Sequence, residues 1–119
     1  MNSTDHPFVR VFAMVRPHRL QEVKSALALL PISGLTVADA RGTGNNPERP
    51  VSFLGRELVV PLPLRMAVEV AVPAALAEDV VAAIRQAAFT GESGDGKIFV
   101  EPVLSAYRIR TGEAGSDAI

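Results

Sequence analysis

Thr90-Gly91-Glu92-Ser93-Gly94-Asp95-Gly96-Lys97-Ile98-Phe99-Val100 joins two different hydrophobic periods. Before it, Leu76, Val80, Ile84 and Ala88 recur at helical spacing, and this stripe stops near Phe89. After it, from Lys97 to Leu104, the chain reads as a β-strand. The junction itself carries three glycines in six residues, at 91, 94 and 96. Glycine lets a backbone turn tightly and present its N–H groups with no Cβ in the way. Lys97 ends the turn with a positive charge on a flexible stem. Exposed N–H groups beside a cation suit a polyphosphate, because they supply hydrogen bonds and charge neutralisation together. Gly-Asp-Gly also occurs in helix-to-strand turns for local reasons, so the stretch alone leaves both readings open.

Working back towards the N-terminus, residues 59–72 have strand character. Met66, Val68, Val70 and Val72 alternate with Arg65, Ala67, Glu69 and Ala71. Pro61 and Pro63 confine the early part to an edge or a loop stem. Pro73 opens the second helix. Residues 42–58 follow neither period and hold Gly42, Gly44, Asn45, Asn46, Pro47, Pro50 and Gly55. So long a loop in a small domain is uncommon, and loops on rigid scaffolds tend to carry binding. Residues 35–41 read as a strand. Leu20, Val23, Leu27 and Leu30 mark a first helix over 18–30, opened by Pro17 and closed by Pro31. Residues 8–16 are β-rich, with Val9, Val11, Ala13 and Val15 on one face and Phe12 and Met14 on the other. The last strand is expected to run from 97 to 104 and on towards Arg110. A flexible terminus is expected over 1–7 and a polar tail over 111–119.

The order β-α-β-loop-β-α-β predicts an α+β, ferredoxin-like βαββαβ domain over 8–119, with two helices on one face of a four-stranded sheet. The other face would be bare, and Phe12 and Met14 on it predict self-association.

With 119 residues the chain is long enough for one core. Twelve Lys+Arg against 13 Asp+Glu give a formal charge of −1, and no basic run occurs, which argues against a nucleic-acid binder. Cysteine is absent, which removes disulfides, thiol catalysis and Cys-bound metal. No signal pattern and no membrane-length apolar run is present, so a cytoplasmic protein without membrane insertion is expected. His6 and His18 lack carboxylate spacing that would suggest a metal site. Tyr107 reads as a packing residue in the last strand with a satisfied hydroxyl. Asp39, Glu69 and Glu113 form no obvious acid–base pair, which leaves Glu69 open to burial beside a bound ligand.

Gly94-Asp95-Gly96-Lys97-Ile98-Phe99-Val100, then Arg108-Ile109-Arg110-Thr111-Gly112-Glu113 and a final Ala118-Ile119, resemble the C-terminal signature of the PII signal-transduction proteins. Val15-Arg16-Pro17, Ile32-Ser33-Gly34-Leu35-Thr36-Val37 and Gly42-x-Gly44 are similar to other segments of that family, in the same order. The resemblance implies a homotrimer that binds ATP, ADP or AMP in clefts between subunits and grips a target protein with its long loop. It implies no enzymatic role and no cofactor. It assigns Gly94, Asp95, Gly96 and Lys97 to phosphate, Arg108 and Arg110 to phosphates held by the neighbouring subunit, Gly34, Thr36 and Gly42 to adenine and ribose, and Gly44 and Asn45 to the loop entrance. Two arginines two apart on a strand share a face, and each guanidinium can fork onto phosphate oxygens. A solvated edge pair is the plainer alternative.

The chain departs from the family at several positions. Leu58 stands where a modified tyrosine is known, which removes that modification. Asn46 and Arg65 stand where a glutamine and a lysine hold magnesium and 2-oxoglutarate. Thr43 replaces an aromatic, and Glu92 replaces a basic residue. These differences resemble the variant PII-like proteins of carboxysomes or bicarbonate uptake, which implies ADP or AMP with a small anion such as bicarbonate at Thr43, Asn46 and Arg65. The target would then be a transporter or a carboxysome-related protein. A nitrogen-regulatory protein sensing ATP, ADP and 2-oxoglutarate is one alternative. A small nucleotide hydrolase and a purely structural trimer are others, the hydrolase lacking a well-placed general base.

Overall fold

The structure is a computed structural model that describes residues 7–42, 51–53, 56–58 and 63–119. The expected terminus over 1–7 therefore falls, but for Pro7, outside the described residues. So do Thr43, Gly44, Asn45, Asn46 and His6.

Among the described residues, six strands and two α-helices form. They are β1 (Phe8–Val15), α1 (Leu20–Leu27), β2 (Thr36–Arg41), β3 (Val51–Phe53), β4 (Arg56–Leu58), β5 (Leu64–Pro73), α2 (Ala77–Ala88) and β6 (Ile98–Pro102). Four strands make one sheet in the order β2-β5-β1-β6, with every neighbouring pair antiparallel. That order, with both crossover helices on one face, is the ferredoxin-like arrangement that the alternation predicts.

Alternation along β1 places Val9, Val11, Ala13 and Val15 in the core. Val68, Val70 and Val72 of β5 join them. From above, α1 contributes Val23 and Leu27, and α2 contributes Val80, Ile84 and Ala88. The core is thus built of small and branched aliphatics, which fit between one sheet face and two helices. Arg19 ties the helices together, its Nε donating to the Ala87 carbonyl in the last turn of α2 at 2.9 Å.

The opposite sheet face carries Arg10, Phe12 and Met14 of β1. Across from Phe12 lie Glu69 on β5 and Phe99 on β6. Phe12 and Met14 are half-buried, and Phe99 is 51 % exposed, so this face is apolar and uncovered within one chain. Arg10 bridges it, pairing with Glu69 at 2.6 Å and Glu101 at 3.3 Å while its guanidinium sits 4.8 Å from the centre of the Phe12 ring.

Four expectations are corrected. The first helix is shorter than 18–30: Pro17 starts a 3-10 turn over Pro17–Arg19, and α-geometry ends at Leu27. The 42–58 stretch is not without secondary structure, because β3 and β4 pair antiparallel from Val51↔Leu58 to Phe53↔Arg56. β6 stops at Pro102, which has no N–H to continue a ladder. Arg108 and Arg110 therefore do not share a strand face. They lie in a tight turn held by Arg108 N–H to Glu113 carbonyl and Gly112 N–H to Arg108 carbonyl, both at 2.8 Å. Finally, Tyr107 makes a single bridge with Ala114 and is 70 % exposed, so it is not a packed strand residue.

Candidate functional site

α2 ends at Ala88, and the extended backbone of the next residue, Phe89 (φ −65°, ψ 127°), turns the chain out of the helix. The chain must then reverse to reach β6. It does so through positive φ at Gly91 (88°), Gly94 (98°) and Gly96 (101°). The Asp95 carboxylate holds the resulting turn. It accepts from the N–H of Thr90 at 2.9 Å, the N–H of Gly91 at 3.1 Å and the Thr90 hydroxyl. Arg16, just beyond the end of β1, completes the set: its Nε donates to Asp95 Oδ1 at 3.1 Å and its Nη2 to the Ser93 carbonyl at 2.7 Å.

Donors surround this carboxylate, the Thr90 hydroxyl and N–H foremost and then Arg16 and Gly91, and together they hold Asp95 well below its ordinary pKa. The folded chain therefore keeps Asp95 ionised where the unfolded chain has begun to protonate it. Its contribution to stability is present above the ordinary aspartate range and is lost as pH falls below that range.

The turn faces a cleft of about 540 Å³ on the uncovered side of the sheet. Phe12, Met14 and Phe99 form its apolar wall, Gly42 and Arg65 one rim, and residues 92–97 the other. Two arginines crowd the turn at Gly94, where an added Cβ would lie 3.1 Å from Arg16 Nη2 and 3.5 Å from Arg65 Nη2. At Gly42 an added Cβ would meet Met14 Cε at 2.9 Å, the far end of a flexible side chain that can move aside. Arg65 donates to the Leu64 carbonyl at 3.0 Å. Neither Arg65 nor Lys97 has a salt bridge among the described residues. The cleft thus offers two cations, glycine backbone and an apolar wall, which is the chemistry of an anionic ligand with a flat organic part.

Of the expected site residues, Gly42, Arg65, Gly94, Asp95, Gly96 and Lys97 come together here. Gly34 and Thr36 do not line this cleft; they lie exposed at the start of β2, and Thr36 stands opposite Glu69. Arg108 and Arg110 are exposed and also outside it. Asp95 lines the cleft, yet its carboxylate is engaged within the turn. Glu69 does not line this cleft and is in the ion pair with Arg10. The sequence expectations do not give a role to Arg16, Thr90 or Ser93. No local pattern could have found Arg16, because its partner Asp95 is 79 residues away in the chain.

These features define a small α+β sandwich with an anion-receptive glycine turn beside an open sheet face. Residues 8–113 match the family model described as nitrogen regulatory protein P-II. The nitrogen regulatory protein GlnK2 of Haloferax mediterranei is 45 % identical over 92 % of this chain and 89 % of its own. The nitrogen regulatory protein P-II of Azospirillum brasilense is 44 % identical over 92 % of this chain and 98 % of its own. Among solved structures, that of Arabidopsis thaliana PII bound to citrate superposes with a TM-score of 0.76 and 39 % identity, covering 99 % of this chain and all of that one. The chain belongs to the P-II family of nitrogen regulatory proteins. Among the described residues, no helix is long and apolar enough to cross a membrane.

Proposed function

We propose that this P-II protein is a cytoplasmic regulator that binds adenine nucleotides and signals their level to a target protein through its 42–58 segment. One observation carries the reading: Lys97 and Arg65, without ion-pair partners among the described residues, flank a turn of three positive-φ glycines on a cleft with an apolar wall. The phosphates meet Lys97 and the backbone at Gly94 and Gly96. Asp95 shapes the turn rather than touching the phosphates, because a carboxylate repels them.

The uncovered face with Phe12, Met14 and Phe99 is closed by further copies in a homotrimer. Trimer formation brings Arg108 and Arg110 of a neighbouring copy to the phosphates, since their exposed turn leaves both available. Gly34, Thr36 and Gly42 are assigned to adenine and ribose, and Gly44 and Asn45 to the loop entrance.

The co-effector is a small carboxylate or oxyanion held by Arg65 with Thr43 and Asn46. The relatives named above are nitrogen regulators, which lends the carboxysome or bicarbonate variant no support and puts 2-oxoglutarate first. A carboxylate also accompanies the Arabidopsis relative, whose structure is a citrate complex. The relatives carry the names of regulators rather than enzymes, which supports signalling over nucleotide hydrolysis.

Calorimetric titration with ADP, alone and with 2-oxoglutarate or bicarbonate, tests this reading. Saturable ADP binding, altered by one of the two anions, is expected. Absence of heat with ATP, ADP and AMP alike contradicts it.

A further inference from the structure

The turn carries two carboxylates, and they differ in how they are compensated. Asp95 has four donors, one of them the Arg16 guanidinium, so its charge is spent within the turn. Glu92 is exposed on the rim of the same cleft. Its backbone is pinned, because its N–H donates to the Thr90 hydroxyl oxygen at 3.2 Å, and Thr90 is itself tied to Asp95. Its carboxylate has no salt bridge among the described residues. The rim therefore sets one uncompensated anion, Glu92, against Arg65 and Lys97.

We propose that Glu92 is a specificity-determining residue of this cleft: a fixed negative charge that disfavours long phosphate tails and tilts binding towards shorter ones. The inference rests on the nucleotide-binding reading above and adds which nucleotides that cleft favours. Every further phosphate brings another negative charge towards the rim. Repulsion from one fixed carboxylate therefore grows with tail length, while the apolar wall sees the same organic part in each nucleotide. The effect is a surface one, so salt weakens it. A magnesium ion on the tail cancels part of it.

The test is equilibrium binding of AMP, ADP and ATP to the full chain at low ionic strength with EDTA, comparing wild type with Glu92→Gln and Glu92→Asp. Glu92→Gln is expected to raise ATP affinity roughly three- to fivefold and AMP affinity less than twofold, with ADP between them. Glu92→Asp keeps the wild-type order, and added salt narrows the gap between wild type and Glu92→Gln. An equal change for all three nucleotides, no change, or weaker ATP binding in Glu92→Gln overturns the inference while leaving nucleotide binding intact. A wild-type chain that binds none of the three overturns both.

Discussion

Gly96→Ala is expected to destabilise the fold by about 3–4 kcal/mol, the sum of a backbone penalty and a clash that cannot relax cheaply. Gly96 has φ 101°, a region that alanine rarely adopts. An added Cβ would stand 2.0 Å from the Met14 carbonyl oxygen. That oxygen belongs to Met14 of β1, which pairs with Ala67 of β5, while the preceding residue, Ala13, pairs with both β5 and β6. β1 cannot retreat, so the turn must lift. Lifting it pulls Asp95 from Arg16 and Thr90, and the cleft rim goes with it. Gly112→Ala is the matched control. Gly112 has φ 74° but nothing within 4 Å of an added Cβ, so it should lose only about 1 kcal/mol. Urea unfolding at one fixed protein concentration separates the two. Equal losses would mean that the 90–97 turn does not press on β1.

Lys97→Ala is expected to weaken ADP binding by about 1.5–3 kcal/mol, the scale of a lost charged hydrogen bond, with little change in the unfolding midpoint. Lys97 is exposed and has no salt bridge among the described residues, so its removal leaves no buried partner behind. Arg108→Ala should weaken ADP in the same direction. If the cleft is shared between copies, trimers mixed from the two variants regain intact clefts, because one copy supplies Lys97 and its neighbour Arg108. If both residues serve one chain's own cleft, mixing restores nothing. The titration and the mixing experiment thus separate a shared cleft from a private one.

Much of the fold is legible because its periods are clean. Val9, Val11, Ala13 and Val15 alternate without interruption, and each is buried. Val80, Ile84 and Ala88 keep helical spacing and fall on the core side of α2. Legibility fails where a period is short or a partner is distant. β3 and β4 have three residues each, too few to show alternation amid glycines and prolines. Arg108 and Arg110 have strand-like spacing, but Pro102 ends the ladder first, and a turn takes over. Arg16 is silent for a different reason. Its partner Asp95 lies 79 residues away, and only the chain reversal through the glycine turn brings them together. Gly-Asp-Gly shows a turn, but not that the Asp95 carboxylate accepts from Thr90, Gly91 and Arg16 within it.

A titration of ADP followed by backbone amide chemical shifts reads the glycine turn atom by atom. Phosphate capture predicts the largest shifts at Gly94, Gly96 and Lys97, saturating together, with smaller ones along β1 near Met14. ADP that binds while those three amides stay still, and shifts signals elsewhere instead, would contradict the assignment of the turn as the phosphate site.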